Sequence, residues 1–337
     1  MNDLASRKRR VFSGVQPTGK VHIGNYVGAL SVWAENQDQF ENIFCVVDMH
    51  ALTIPEAIQP QVLRDKTREV AALYVACGID PQKSTIFVQS DVPAHAELAW
   101  ILNCVTPLGW LRRMTQFKSK SRSVENIGTG LLDYPVLQAA DILLYLTDLV
   151  PVGEDQKQHV ELTRDIALRF NNLFGEVFVI AEPLIRTSGA RIMAFDDPTQ
   201  KMSKSEGEKK SGHSIGMLDP PERTRETIMK AVTDSGSETR YDHAEPGVKN
   251  LLVLYEALTK ESKEQIDARF AGKGYGFLKR EVADLVVSVL TPIQAKYAEI
   301  RSERSYLDKI LRDGAQRARE LAAPVLAKAK DAVGFGY

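Results

Sequence analysis

The first segment whose residues could do chemistry is residues 14–25, GVQPTGKVHIGN. The side chains of Thr18, His22 and Asn25 can donate hydrogen bonds to phosphate oxygens. Gly24 has no Cβ, so a phosphate or a planar ring can approach the backbone there. Taken alone, the segment also fits an ordinary turn between a strand and a helix, with a histidine on the surface.

The second such segment is residues 201–205, KMSKS, where two lysines lie three residues apart. Lys201 and Lys204 could fold over a triphosphate and meet the negative charge that develops on a departing pyrophosphate. Taken alone, the segment also fits a solvated basic loop. The segment 201–216 is rich in Ser, Lys and Gly without an apolar period, which predicts an exposed, mobile loop.

The elements that must position the first segment follow a βαβαβ order. Short apolar runs predict strands and apolar residues at helical spacing predict helices. The predicted strands are residues 11–15, 42–48, 85–89 and 149–152, and the predicted helices are residues 26–36, 61–77, 137–146 and 156–171. This order predicts a Rossmann-like α/β fold, a parallel sheet with helices on both faces, whose ligands bind at the carboxyl ends of the strands.

From residue 220 onward the sequence is helical, with helices predicted over residues 222–232, 248–258 and 280–290. Pro292, Gly314 and Pro324 are expected to break helices, although the two prolines could also lie in the first turn of a following helix. The expected organisation is a catalytic domain over residues 1–205 and an all-α domain over residues 206–337. The last helices could pack back on the first domain.

Composition excludes several classes of protein. Of 337 residues, 44% are hydrophobic and 26% charged, which argues against disorder. No apolar run reaches the ~18–20 residues of a membrane helix, and the N-terminus does not resemble a secretory signal. The three cysteines lack CxxC spacing, which favours a reducing cytoplasm. The net charge of −1 means that RNA contacts must come from local basic patches, and we expect no membrane or DNA partner.

Together, HIGN at residues 22–25 and KMSKS at residues 201–205 resemble the two signatures of the class I aminoacyl-tRNA synthetases. Other stretches are similar to the tryptophan branch of that family, above all VPVGEDQKQHVELTRD; they are residues 13–30, 48–53, 92–95, 114–118, 150–165 and 190–193. The resemblance implies ATP-dependent activation of L-tryptophan to an adenylate. Transfer to tRNA(Trp) would follow, with AMP and pyrophosphate as the other products.

The resemblance also implies which residues contact ATP. They are Gln16, Pro17, Thr18, Gly24, Asn25, Gly153, Glu154, Asp155, Ile192, Lys201, Met202, Ser203, Lys204 and Ser205. His22, Asn25, Lys201 and Lys204 would act in catalysis. Asn25 stands where the wider class has a second histidine, so charge stabilisation would fall more heavily on the two lysines. Mg²⁺ would be held mainly by the ATP phosphates. We expect no metal ion held by protein side chains. Asp48, His50 and His159 are of metal-ligating types, but they lack a ligand spacing such as HxxxH.

For the amino acid, the resemblance implies that Asp141 accepts the indole N–H. An aspartate in this apolar helix needs a partner, which could also be an N–H or a tyrosine hydroxyl of the protein itself. Tyr134 and Gln156 would hold the α-ammonium group, and His50 would lie beside the pocket. Gln138 stands where relatives often have methionine. Helical spacing puts Tyr134, Gln138 and Asp141 on one face, an arrangement that resembles the tyrosine enzymes. Tyrosine is therefore an alternative substrate. A catalytically inactive paralogue that binds RNA or nucleotide is a second alternative.

The resemblance implies that the C-terminal helical region reads the anticodon and that the enzyme is a homodimer. The basic residues spread through this region are Arg301, Arg304, Lys309, Arg312, Arg317 and Arg319. Because acidic residues are interleaved with them, most also fit a solvated helix face with ion pairs. The basic run at residues 7–10 could touch the tRNA acceptor end or act only as a solubilising tail.

Overall fold

The computed structural model describes residues 7–121, 126–153, 156–184, 191–203, 207, 210–234, 236 and 239–336. Its strands are β1 (Arg10–Val15), β2 (Glu41–Val46), β3 (Ser84–Val88), β4 (Leu149–Pro151) and β5 (Glu182–Leu184). They form one parallel sheet in the order β3-β2-β1-β4-β5. The predicted α/β fold is confirmed, and its strand ends differ from the predicted ones by one or two residues.

Helices surround the sheet. The shorter ones are α1 (Ile23–Asn25), α2 (Ser31–Asn36), α5 (Leu108–Arg112) and α6 (Thr115–Lys120), with a π-helical segment (Tyr26–Leu30) between the first two. The longer ones are α3 (Pro60–Ala76), α4 (Ala94–Val105), α7 (Thr129–Leu143), α8 (Lys157–Phe174), α9 (Pro221–Met229), α10 (Pro246–Thr259), α11 (Lys263–Phe270), α12 (Tyr275–Ser302) and α13 (Arg304–Ala332). None of the helices in the described part of the chain is long and apolar enough to cross a membrane.

The sheet separates two hydrophobic cores, because neighbouring strand residues point to opposite faces. Phe44 and Ile86 face one core, which continues into the C-terminal helices. Ile43 and Phe87 face the other core, which includes α7 and α8. Burial on both faces explains why the strands read as continuous apolar runs rather than alternating ones.

The prediction that Pro292, Gly314 and Pro324 break helices is wrong. All three lie inside α12 or α13, and the chain turns instead at Glu303. A proline inside a helix removes one hydrogen bond. Burial of neighbouring apolar residues on both helices offsets that loss. Gly314 has a different reason: α13 packs so tightly on β3 that a Cβ there would lie 1.7 Å from the carbonyl oxygen of Ile86.

The prediction that residues 201–216 form an exposed loop holds for Lys201, Lys210 and Ser211 and is wrong for most of the other described residues of this segment. Met202, His213 and Ile215 are buried. Apolar side chains can anchor a segment without any helical or strand period, and for that reason the sequence pattern missed them. The division into domains at residue 205 stays a prediction.

Candidate functional site

A cavity of about 500 Å³ opens at the carboxyl ends of β1, β2 and β4, the edge at which a parallel sheet binds ligands. Both apolar and polar side chains line it. The predicted site residues among them are Gln16, Asn25, His50, Tyr134, Gln138, Asp141, Gly153 and Gln156. Residues predicted from distant parts of the sequence are thus brought to one place.

The other predicted site residues that the structure describes lie outside the lining of this cavity. They are Pro17, Thr18, His22, Gly24, Ile192, Lys201, Met202 and Ser203. Glu154, Asp155, Lys204 and Ser205 lie outside the described residues. Ile192 and Met202 are buried in the core, so their side chains are not available to a ligand and only their backbone could meet a nucleotide.

Asp141, on α7, is only 1% exposed and accepts three hydrogen bonds. Gln89 Nε2 donates to Oδ1 at 2.7 Å, and His95 Nδ1 lies 2.6 Å from the same oxygen. His50 Nε2 lies 2.8 Å from Oδ2. Burial raises the pKa of a carboxyl group, but the hydrogen bonds from His50 and His95 outweigh it and lower the pKa of Asp141 below its usual value. The group is therefore a carboxylate at neutral pH.

His50 is positioned by a 3₁₀ turn (Met49–Thr53) that follows β2. The Gln16 amide donates a 2.8 Å hydrogen bond to the His50 carbonyl, and the Thr53 hydroxyl donates another at 3.0 Å. Gln16 comes from the turn after β1. The end of one strand therefore fixes the turn that follows its neighbour, and this turn aims the His50 imidazole at Asp141.

Tyr134 lies on the same face of α7 as Gln138 and Asp141, as helical spacing predicts. Its hydroxyl lies 2.8 Å from Nε2 of His159, which is buried on α8. Burial raises the pKa of Tyr134, so the phenol keeps its proton. Gln138 is half-buried, and its side chain lines the cavity wall one helical turn before Asp141.

The turn after β1 closes on itself. The backbone N–H of His22 donates to Asn25 Oδ1 at 3.1 Å, which leaves the amide of Asn25 oriented with its NH₂ as the donor end. His22 is buried and is not the surface histidine of the alternative interpretation. Its imidazole lies against Gly24, where a Cβ would come within 3.1 Å of Nδ1. The glycine is thus needed for the packing of His22.

The lysine-containing segment is joined to this turn. The backbone of Ile23 donates to Ile215 at 2.9 Å, and His22 and Gly216 form an antiparallel bridge. Lys201 forms a second bridge with Met193, whose backbone both donates to and accepts from the side chain of Asn250. Two predicted segments that are far apart in sequence therefore belong to one structural unit.

Four residues that contribute to the site were missed by sequence reasoning. They are Gln89, His95, Tyr145 and Asn250. Gln89 directly follows β3, and a polar residue at the carboxyl end of a buried parallel strand is a signal that could have found it. His95 lies within a stretch that resembles the synthetase family. Tyr145 and Asn250 carry no such signal.

The three residues that suggested a metal site contact different partners. His50 contacts Asp141, His159 contacts Tyr134, and Asp48 accepts from the backbone and hydroxyl of Ser90. Within the described ranges, no group of three or more His, Cys, Asp or Glu side chains is arranged to hold a metal ion.

The basic run at the N-terminus binds the protein itself. Arg7 pairs with Asp148 at 2.7 Å, and Arg10 pairs with Glu41 at 2.9 Å. Arg10 also donates to the carbonyl of Tyr145. These contacts give the two arginines a structural role, because they fasten β1 to its neighbours.

Several basic residues of α13 likewise contact the protein. Arg317 donates to the carbonyls of Pro81 and Ser84, and Arg319 donates to the carbonyl of Asp91. Lys309 forms an ion pair with Asp313. These contacts favour the structural interpretation for the three basic residues. Arg301, Arg304 and Arg312 remain at least partly exposed on α12 and α13.

The parallel sheet and the polar cavity across its carboxyl edge define a nucleotide-binding α/β protein. The model of the family described as tRNA synthetases class I (W and Y) matches residues 4–291, and the chain therefore belongs to that family. Among curated relatives, the tryptophan–tRNA ligase of Wolinella succinogenes is 53% identical over 329 residues, covering 97% of this chain and 99% of that protein. The tryptophan–tRNA ligase of Gloeobacter violaceus is 51% identical over 336 residues, covering 99% of each.

Solved structures agree with this assignment. Tryptophanyl-tRNA synthetase from Mycoplasma pneumoniae superposes with a TM-score of 0.90 and 37% identity, over 98% of both chains. The enzyme from Campylobacter jejuni, in complex with ADP and tryptophan, superposes with a TM-score of 0.83 and 35% identity, over 96% of this chain and 99% of the other.

Proposed function

We propose that this protein activates L-tryptophan with ATP and transfers it to tRNA(Trp), releasing AMP and pyrophosphate. One observation supports this most directly: a carboxylate, Asp141, is buried at the wall of a cavity on the nucleotide-binding edge of the sheet. The relatives and solved structures above carry the same activity in their names.

The acceptor capacity of Asp141 suits an indole N–H. A carboxylate oxygen has two lone pairs. Within the described part of the chain, Oδ1 receives two donors and Oδ2 receives only one, from His50. One lone pair on Oδ2 is therefore left for the substrate. A buried acceptor that needs a donor would reject a phenyl side chain by ~10⁴–10⁵.

The ATP site would occupy the other part of the same edge. Gln16, Asn25 and Gly153 line the cavity where β1 and β4 end, and they suit a ribose or a phosphate. The substrate carboxylate attacks the α-phosphorus, so no protein nucleophile is required. Lys201 and Lys204 would stabilise the charge on pyrophosphate, and Mg²⁺ would bind mainly to the ATP phosphates.

Tyrosine is the alternative substrate that the Tyr134–Gln138–Asp141 pattern suggests. The hydroxyl of Tyr134 lies against His159 and the carboxylate of Asp141 is surrounded by two imidazoles and an amide. A phenol could donate to Asp141 as an indole does, so the residues alone do not separate the two. The relatives named above are tryptophan–tRNA ligases, and we assign tryptophan on that ground.

The partners proposed are tRNA(Trp) and a second copy of the chain, in the cytoplasm. Arg301, Arg304 and Arg312 offer exposed positive charge to the tRNA backbone. For the homodimer, large apolar side chains are exposed on neighbouring elements: Trp100 on α4 is 68% exposed and Leu108 on α5 is 49% exposed. Exposed apolar surface of this kind is typical of protein interfaces.

ATP–pyrophosphate exchange tests the activity. Exchange that depends on tryptophan, followed by charging of tRNA(Trp), is the expected result. Exchange with tyrosine but not tryptophan would transfer the assignment to the tyrosine enzymes. If neither amino acid supports exchange while nucleotide still binds, the inactive-paralogue alternative would replace the proposal. Asp141→Asn is the variant that tests the proposed indole acceptor, since it removes the charge of the carboxylate and keeps the size of the side chain.

A further inference from the structure

Behind Asp141, on the side away from the cavity, lies a buried pair of residues with no role in the proposed chemistry. His95 on α4 and Tyr145, just after α7, are both fully buried. His95 Nδ1 lies 2.6 Å from Asp141 Oδ1, and His95 Nε2 lies 2.8 Å from the Tyr145 hydroxyl. The imidazole thus connects the tyrosine to the carboxylate.

The protons in this chain of contacts follow from the chemistry of each group. A carboxylate only accepts, so His95 must carry its proton on Nδ1. In a neutral imidazole, Nε2 then accepts, and the Tyr145 hydroxyl must donate to it. Burial raises the pKa of Tyr145 well above its usual value, so that the hydroxyl keeps its proton. Tyr145 thereby stabilises the tautomer of His95 that Asp141 requires, because its hydroxyl donates to the Nε2 that this tautomer leaves without a proton.

Without the tyrosine hydroxyl, Nε2 of this tautomer would be a buried acceptor that has lost its donor, which costs free energy and makes the opposite tautomer more accessible. The opposite tautomer would put a bare Nδ1 against Oδ1, two acceptors at hydrogen-bond distance. Either the carboxylate would move or it would take up a proton. Both changes would weaken acceptance of a donor by Oδ2, because a displaced or neutral carboxyl group no longer presents the same lone pair to the cavity.

We propose that Tyr145 and His95 are positioning residues that hold the Asp141 carboxylate ionised and aligned for the indole N–H. This inference rests on the proposed role of Asp141. By this inference, two residues that do not line the cavity help to select the amino acid. Gln89, which donates to the same oxygen, supports the alignment from a third direction.

The test compares tryptophan with β-(3-benzothienyl)alanine, in which sulfur replaces the indole N–H, by kcat/KM in ATP–pyrophosphate exchange. Tyr145→Phe removes only the hydroxyl and keeps the ring that stacks on Phe12. We expect a loss of about tenfold for tryptophan, the size of one weakened hydrogen bond, and less than about twofold for the analogue. Equal losses for both substrates would indicate a merely structural role and overturn the proposal.

The matched control is Tyr74→Phe, at another fully buried tyrosine, whose hydroxyl donates to the carbonyl of Cys45. Its ratio of tryptophan to analogue should stay at the wild-type value. His95→Asn places an amide N–H near the position that Nδ1 occupies in the wild type. This donor to Asp141 does not depend on the tautomer of an imidazole. In that background Tyr145→Phe should cost less than about twofold, whereas a full tenfold loss would contradict coupling through His95.

Asp141→Asn distinguishes failure of the proposed role of Asp141 from failure of the proposed role of Tyr145 and His95. If this variant leaves discrimination between tryptophan and the analogue intact, the proposed role of Asp141 fails, and the inference fails with it. If Asp141→Asn abolishes discrimination but Tyr145→Phe does not change it, only the role of Tyr145 and His95 is refuted.

Discussion

The backbone N–H of Met217 donates a 2.8 Å hydrogen bond to the carbonyl of Val21. Met217 lies in the chain that follows KMSKS, and Val21 directly precedes HIGN. The backbone after one signature is therefore hydrogen-bonded to the backbone before the other. A shift of residues 215–217 would strain these hydrogen bonds to the turn after β1. The chain that follows KMSKS is thus held beside the turn that contains HIGN although the two are distant in sequence.

Replacing Lys204 or Lys201 by alanine should slow adenylate formation by about 10²–10³, because charge that develops on pyrophosphate loses a partner. The KM for tryptophan should change little, since tryptophan binds elsewhere. Rapid-quench measurement of adenylate formation reports the rate. The control is Lys230→Ala, just after α9, which removes an exposed lysine paired with Glu226. Weaker tryptophan binding at an unchanged rate would contradict the assigned role.

Gly314→Ala should destabilise the protein by about 2 kcal/mol or more, because a Cβ would overlap the backbone of Ile86 and α13 would have to move away from β3. The expected fall in Tm, about 3 °C or more for a chain of this length, is measurable by differential scanning calorimetry. Gly276→Ala on α12 is the matched control, since its Cβ would make only an ordinary contact with Arg280. A Tm of Gly314→Ala equal to that of the control would show that the packing is looser than described.

Arg7→Ala should lower the free energy of unfolding by about 1–2 kcal/mol, because the half-buried Asp148 loses its ion pair. The KM for tRNA should not change. Chemical denaturation and aminoacylation kinetics measure the two quantities. Arg9→Ala removes an exposed arginine of the same run and serves as the control. A raised KM for tRNA with unchanged stability would restore the tRNA-contact interpretation for Arg7.

Among the three cysteines, only Cys104 should react with a thiol reagent at pH 8 in the native protein. Cys104 is exposed, whereas burial raises the pKa of Cys77 to about 12 and the pKa of Cys45 well above its usual value. Because the thiolate is the reactive form, the two buried groups should stay unmodified until unfolding. Mass spectrometry after alkylation locates the label. Rapid labelling of Cys45 in folded protein would contradict its burial in the sheet.

Gln138→Met should keep the preference for tryptophan over tyrosine within about threefold, because the substitution leaves Asp141, the acceptor proposed for the substrate, and its three protein donors unchanged. The ratio of kcat/KM for the two amino acids in pyrophosphate exchange measures the preference. Gln116→Met, at another glutamine that lines the cavity, is the control. A large gain in the ratio for Gln138→Met alone would show that Gln138 relaxes selectivity.

Local patterns were enough to predict four of the five strands and the edge of the sheet at which the cavity opens, whereas β5 was not predicted. Residues 43–47 (IFCVV) are uniformly apolar, as is typical of a strand buried on both faces. The order of strands and helices then leaves a parallel sheet as the simplest arrangement, and the carboxyl ends of its strands define where ligands bind. The turn at residues 14–25 could be placed there because it directly follows the first strand.

Local patterns failed where a residue's environment comes from a distant part of the chain. Gly314 was expected to break a helix because helix propensity is a local quantity, but the missing Cβ serves contact with a strand far away in sequence.

The amino-acid sequence by itself determined the α/β architecture and the edge of the sheet at which ligands are expected to bind. It also marked Asp141, in an apolar helix, as a polar residue that needs a partner. Only the tertiary structure decided what surrounds that carboxylate: His50, Gln89 and His95 approach it from three different elements. Periodicity records which face of an element is buried. The direction and distance of a hydrogen bond depend on how those faces pack together, and no local pattern contains that information.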